Sequence, residues 1–242
     1  EVAYRKTLPY LTYLSVVNYT ATDTGEIITH YDDADFIQTA KDYNVIPLMF
    51  LTTLTLQGES NIRGDYQLLL SEEYQNRLHD NIITILREKG FYGVNLSAEH
   101  VTEFNLPLII QAYTKLSVRI KDEGFLMFVT INPNITSING DVVFNRVDYT
   151  EMSNIVDNVI FMNYEWARNV NPPSPISSIY QMEAYLDYLV EIIPRDMLNI
   201  GLATIGYDWA LPFLAGISDV NSLTIDSAVG LARDVGAPIL FN

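Results

Sequence analysis

Three short stretches of this 242-residue chain put acids beside polar and aromatic residues where an apolar run ends. The first is Tyr92-Gly93-Val94-Asn95-Leu96-Ser97-Ala98-Glu99. The two-residue period of a strand sends Asn95, Ser97 and Glu99 to one face and Val94, Leu96 and Ala98 to the other, with the acid emerging last. The second is Met162-Asn163-Tyr164-Glu165-Trp166, a phenol, a carboxylate and an indole placed where an apolar run breaks towards Pro172, Pro173 and Pro175. The third is Gly206-Tyr207-Asp208-Trp209, again directly after an apolar run. Carboxylates beside tyrosine and tryptophan suit carbohydrate, because sugar rings present apolar C–H faces to aromatics while their hydroxyls need fixed polar partners. Taken singly, Glu165 and Asp208 read equally well as solvated loop acids, and a strand-end aromatic as packing. Three such clusters at strand ends point to a site.

Other chemistries find less support. The chain has no cysteine, which excludes disulfides, a thiolate nucleophile and Cys-type metal sites. His30, His79 and His100 are scattered and show no HxxxH spacing, so no metal is expected. Ser97 lacks the glycine elbow of a nucleophilic serine, and its expected role is hydrogen bonding. No glycine-rich phosphate loop follows any strand, and no cofactor is implied. A net charge of −16, from 14 Lys+Arg against 30 Asp+Glu, disfavours nucleic acid and anionic membranes as partners. The longest apolar runs, such as Val45 to Leu51, fall far short of the roughly 20 residues that span a bilayer. No transmembrane segment and no signal peptide are expected within this chain.

Elements that could position these residues alternate along the chain. Strands are expected at Leu11 to Asn18, Val45 to Thr52, Gly93 to Glu99, Phe125 to Ile131, Val159 to Tyr164 and Leu198 to Thr204. Most are apolar nearly throughout, as strands covered on both faces should be. Helices are expected between them: Asp33 to Tyr43, a segment capped by Ser71 and ended by Gly90, Asn105 to Gly124, Ser178 to Ile192 and Thr224 to Val235. This order suits either a (β/α)8 barrel or an open doubly wound α/β sheet. The absence of a nucleotide-binding loop tilts the choice to the barrel. In both architectures the site lies at the carboxyl ends of the strands, where the three clusters fall.

The stretch from Phe91 to Glu99 resembles the DGxDxDxE strand of glycoside hydrolase family 18, most closely its spore cortex and germination branch. Phe161-Met162-Asn163-Tyr164-Glu165-Trp166, the Pro172-Pro173 segment and Gly206-Tyr207-Asp208-Trp209-Ala210-Leu211-Pro212 follow in that branch's order. The resemblance implies a single α/β domain over residues 1–242, a TIM barrel whose first and last strands are missing from this chain. Residues 211–242 would lead towards a small insertion, with Pro238 to Asn242 poorly suited to close the barrel. It also implies an extracellular or spore-envelope location and an N-acetylglucosamine-containing glycan, peptidoglycan or chitin-like, as substrate.

By the same resemblance Glu99 is the acid of a substrate-assisted, retaining hydrolysis, and Tyr164 with Glu165 matches the pair that holds the acetamide. Asn95, Ser97, Asn163, Trp166, Tyr207, Asp208 and Trp209 become candidate substrate contacts. The departures matter as much. Tyr92, Asn95 and Ser97 stand where the family places acids, and Ser97 replaces the Asp that stabilises the developing charge. Loss of one such electrostatic partner typically costs on the order of 10²–10³ in rate. The alternative reading is therefore a chitinase-like module that binds glycan without cutting it.

Overall fold

The computed structural model describes residues 2–55, 59–138, 141–162, 173 and 175–240. A short helix α1 (Val2–Thr7) and a 3-10 turn lead into β1 (Tyr13–Ala21), followed by β2 (Ile27–Thr29), α2 (Ala34–Asp42) and β3 (Ile46–Thr52). Next come α3 (Ile62–Leu70), α4 (Glu72–Lys89), β4 (Gly93–Ala98), α5 (Leu106–Asp122) and β5 (Leu126–Ile131). A hairpin of β6 (Ile135–Ile138) and β7 (Asp141–Phe144) precedes α6 (Thr150–Ile155), β8 (Asn158–Phe161), α7 (Ile179–Ile192) and β9 (Leu198–Ile200). The chain continues through β10 (Ile205–Trp209), β11 (Val220–Thr224) and α8 (Ile225–Asp234).

All six expected strands form, and they lie parallel in one sheet in the order β1-β3-β4-β5-β8-β9, with β2 added antiparallel on the outer edge of β1. The sheet is curled. Tyr13 on β1 meets Phe128 on β5 edge to face, ring centroids 4.8 Å apart, although two strands separate them. In a flat sheet those strands would stand about 14 Å apart. This curvature is that of a barrel wall. Among the described residues β9 makes no ladder with β1 or β2, so the sheet is an arc.

The convex side carries the core. Met49 and Leu51 of β3, Val94 and Leu96 of β4 and Met127 and Val129 of β5 pack on Ile82, Ile83 and Leu86 of α4 and Leu116 and Ile120 of α5. Helix α4 is bounded by the residues its sequence marks. The Ser71 hydroxyl accepts from Tyr74 N at 3.2 Å, and Gly90 ends the helix at φ +74°, a left-handed conformation that costs glycine little. Gly93 opens β4 because a Cβ there would stand 2.2 Å from the Leu126 carbonyl oxygen. At the edge of the arc, the buried Asp33 carboxylate accepts from the Tyr19 hydroxyl and the Asn18 amide and is bridged by Lys89 at 3.1 Å. Burial alone would raise its pKa; these bonds outweigh burial and hold it below the usual value.

Two expectations are revised. The segment read as one strand from Leu198 to Thr204 is paired only over Leu198–Ile200, against Val159, Ile160 and Phe161 of β8. Gly206, Tyr207, Asp208 and Trp209 therefore sit in β10, paired antiparallel with β11, instead of at the tip of a barrel strand. The expected helix Thr224 to Val235 is present as α8, and residues 238–240 form no strand.

Candidate active site

Strand β4 delivers its polar face as its alternation requires. Asn95, 2% exposed, accepts from the Thr130 hydroxyl of β5 at 2.8 Å and donates to the Ser15 hydroxyl of β1 at 3.2 Å. This buried layer ties three strands beneath the site. One step higher, the Ser97 hydroxyl donates to Glu99 Oε1 at 2.8 Å. Asn132, immediately beyond β5, donates to Glu99 Oε2 at 3.2 Å. Each carboxylate oxygen is thus oriented by a neutral donor.

The chain turns sharply after Glu99. His100 takes φ +54°, its carbonyl accepts from the Asn105 amide at 2.9 Å, and the Val101 carbonyl accepts from Asn134 at 2.8 Å. The bend leaves His100 exposed and near enough to Asp65 to influence it electrostatically. Tyr92, at the opposite end of β4, is 52% exposed under Lys41, whose ammonium lies 5.6 Å from the ring centroid. It takes no part in the cluster.

Beside Glu99 opens a cavity of about 110 Å³ between the convex face of β3 and β4 and helices α3, α4 and α5. Thr53, Asp65, Ser97, Glu99 and Tyr113 line it together with Thr52, Gln75 and His79, and leucines, isoleucines and alanines line the remainder. Burial raises the pKa of Asp65, helped by the charge of Glu99 and opposed by the Thr53 hydrogen bond and His100. Burial also pushes the Tyr113 phenol up, and both acids add to the effect. His79, deeper in the wall, is driven down to about 4, chiefly by burial and then by the charge of Arg119, and stays neutral.

The expected residues divide into three groups. Asn95, Ser97 and Glu99 are brought together. Asn163, Tyr164, Glu165 and Trp166 lie outside the described residues. Tyr207 and Trp209 share one face of β10 with rings 5.8 Å apart, Asp208 points away and is exposed, and the buried Trp209 indole N–H has no acceptor among the described residues. Among the described residues the hydrogen bonds of Glu99 run to Ser97 and Asn132. Asn132 was missed by the sequence reading, although it closes an apolar strand and the strand-end rule marks it. Asp65, Thr53 and Tyr113 carry no such signal. No group of three or more His, Cys, Asp or Glu among the described residues could hold a metal ion, and no helix there is long and apolar enough to cross a membrane.

Glu99 thus lies at the carboxyl end of β4, the third parallel strand of a curled sheet. The profile of the glycosyl hydrolases family 18 matches residues 13–221. The chain belongs to that family. Its relatives include the cortical fragment-lytic enzymes of Bacillus anthracis, 27% identical over 239 residues, and of Bacillus subtilis strain 168, 26% identical over 247 residues. These alignments cover 97% and 100% of this chain, which spans 54% and 56% of the respective relatives. The spore cortex-lytic enzyme SleL of Bacillus cereus superimposes with a TM-score of 0.86 at 25% identity, over 100% of this chain and 55% of SleL. A chitinase from Chromobacterium violaceum shares the fold at a TM-score of 0.84 and 19% identity, over 100% of this chain and 74% of that one.

Proposed function

We propose that this chain carries a glycosidase centre that cleaves N-acetylglucosamine-containing glycan, with Glu99 as the proton donor to the leaving oxygen. The observation that carries the reading is the carboxyl group of Glu99, presented at the tip of β4 and fixed by Ser97 and Asn132. An acid held in one orientation beside a cleft is what general acid catalysis requires. The polymer proposed is spore-cortex peptidoglycan, and the place of action the spore envelope. The names of the Bacillus relatives support both. Hydrolysis would be retaining and assisted by the substrate's own acetamide, with Tyr164 and Glu165 holding that group and Trp166, Tyr207, Asp208 and Trp209 forming subsite walls. One domain is proposed over residues 1–242.

A second reading is a glycan-binding module. It is favoured by Ser97, whose neutral hydroxyl occupies Oε1 of Glu99 where the family places an acid. Cortex fragments and N-acetylglucosamine oligomers, incubated with wild type and Glu99→Gln, separate the two. Turnover by wild type and none by a variant that still binds supports the enzyme. Binding by both without turnover overturns it.

A further inference from the structure

Another cavity, of about 380 Å³, lies between two segments that rise from the same edge of the sheet as Glu99, and its volume is within the range of small-molecule sites. One wall follows β5 and consists of the end of β7 and Arg146. The other is the start of α7, which follows β8 and packs against β7. Because β4, β5 and β8 run parallel, their carboxyl ends face one way, so both walls belong to the face that bears Glu99. Hydrogen bonds tie the first wall to that acid. Asn132 donates to Glu99, the Asn134 side chain donates to the Val101 carbonyl at 2.8 Å, and the Asn134 carbonyl accepts at 2.7 Å from the N–H of Asn145, the residue before Arg146. By that route no more than about 17 Å separates the Cα atoms of Asn132 and Arg146.

Among the described residues that line this cavity Arg146 alone is charged, in a chain whose net charge is −16. It forms no ion pair among the described residues. Asp148, two residues on, accepts instead from the Thr150 N–H and hydroxyl, at 3.0 and 2.6 Å. The Arg146 guanidinium lies over the Tyr188 ring, 5.3 Å from its centroid, and Tyr188 is anchored in turn by donating to the Val147 carbonyl at 2.7 Å. A guanidinium held by its face keeps the N–H groups of its rim for a ligand, and their fork matches a carboxylate. The remaining lining suits a sugar. Tyr180, 79% exposed, offers a ring face, and Ser178 and Gln181 offer neutral hydrogen-bonding groups. We propose that this cavity is a subsite for a sugar that carries a carboxylate, with Arg146 as the residue that binds that carboxylate. Peptidoglycan alternates N-acetylglucosamine with N-acetylmuramic acid, the same sugar bearing a lactyl ether, so it presents carboxylates on the lactyl group or on the attached peptide. Chitin is neutral throughout. The subsite selects the first polymer over the second. The inference rests on the glycan substrate proposed above and names which glycan it is, but its test does not depend on turnover.

Three tetrasaccharides, titrated calorimetrically into the whole chain carrying Glu99→Gln so that none is cut, test this: N-acetylglucosamine alone, N-acetylglucosamine alternating with N-acetylmuramic acid, and the alternating form with peptides attached. The alternating form with free lactyl carboxylates is expected to bind about tenfold tighter than the neutral one at low salt, and the gap should narrow in about 0.5 M NaCl. Adding Arg146→Gln should abolish the preference and leave the affinity for the neutral oligomer unchanged. Arg146→Lys keeps the charge without the fork and should retain part of the preference. The peptide-bearing form identifies the source of the carboxylate. An undiminished preference assigns it to the peptide, and a lost one to the lactyl group, whose carboxyl the peptide consumes as an amide. Equal affinity for all three, or a preference that survives Arg146→Gln, overturns the proposal. An equal loss for all three on Arg146→Gln, the mark of a merely structural role, does so too. Absence of turnover by wild type overturns the glycosidase reading instead, while the binding preference still decides the subsite.

Discussion

Glu99 accepts one hydrogen bond on each oxygen, from Ser97 and Asn132, so an amide at position 99 keeps the shape of the site and loses the transferable proton. Glu99→Gln should therefore lower kcat by about 10²–10⁴ with little change in oligomer affinity, as measured by turnover and calorimetry. Asn95 has a different task. It accepts from the buried Thr130 hydroxyl and donates to the half-buried Ser15 hydroxyl, and Asn95→Ala would leave Thr130 without its acceptor, at a cost of about 1–3 kcal/mol in urea unfolding. The shared face of Asn95, Ser97 and Glu99 was legible in the sequence because a strand has a strict period of two. Asp65 was not, because its place beside the cavity depends on how α3 packs against α4 and α5, and no local pattern encodes that two residues 34 positions apart line one cavity.

At the level of elements, the strands and helices flanking the site were readable wherever an apolar run was bounded by a cap or a glycine. Helix α4 is the clearest case. Ser71→Ala removes the acceptor for Tyr74 N and should cost about 1 kcal/mol. Gly90→Ala places a Cβ in a left-handed residue, 2.6 Å from the Lys41 ammonium nitrogen, and should cost about 1 kcal/mol more, both read as a lower urea midpoint with unchanged slope. What escaped was made by pairing. Strand β2 has three residues, and the hairpins β6-β7 and β10-β11 lie where no strand was expected. Residues Tyr207 to Trp209 were placed at the end of β9 because Leu198 to Thr204 reads as one apolar run. The ladder with β8 stops at Ile200, and the chain reverses into β10. Helix α3 went unread because Gly64 and Asp65 interrupt its apolar pattern.

Across the molecule, acid stability should follow His79, which is 4% exposed and neutral. Its folded pKa of about 4 lies below the ordinary 6.5, so the unfolded chain binds a proton between those values and the folded chain does not. Stability is full above pH 6.5 and falls with pH until about pH 4. A difference of 6.5 − 4 corresponds to about 3 kcal/mol. His79→Gln should flatten that decline, seen by comparing urea midpoints at pH 7 and 4.5. The buried layer beneath the site carries a further consequence, one of timing. Ser15, Asn95 and Thr130 all lie in the first 131 residues, as does Glu99. Chains emerge from the ribosome at about 5–20 residues per second, so roughly 6–23 seconds separate Ser15 from Thr130. Ser15, Asn95, Thr130 and Glu99 are then all synthesised before Tyr207 and Trp209 exist, so the layer beneath Glu99 is complete in the chain while β10 is still untranslated.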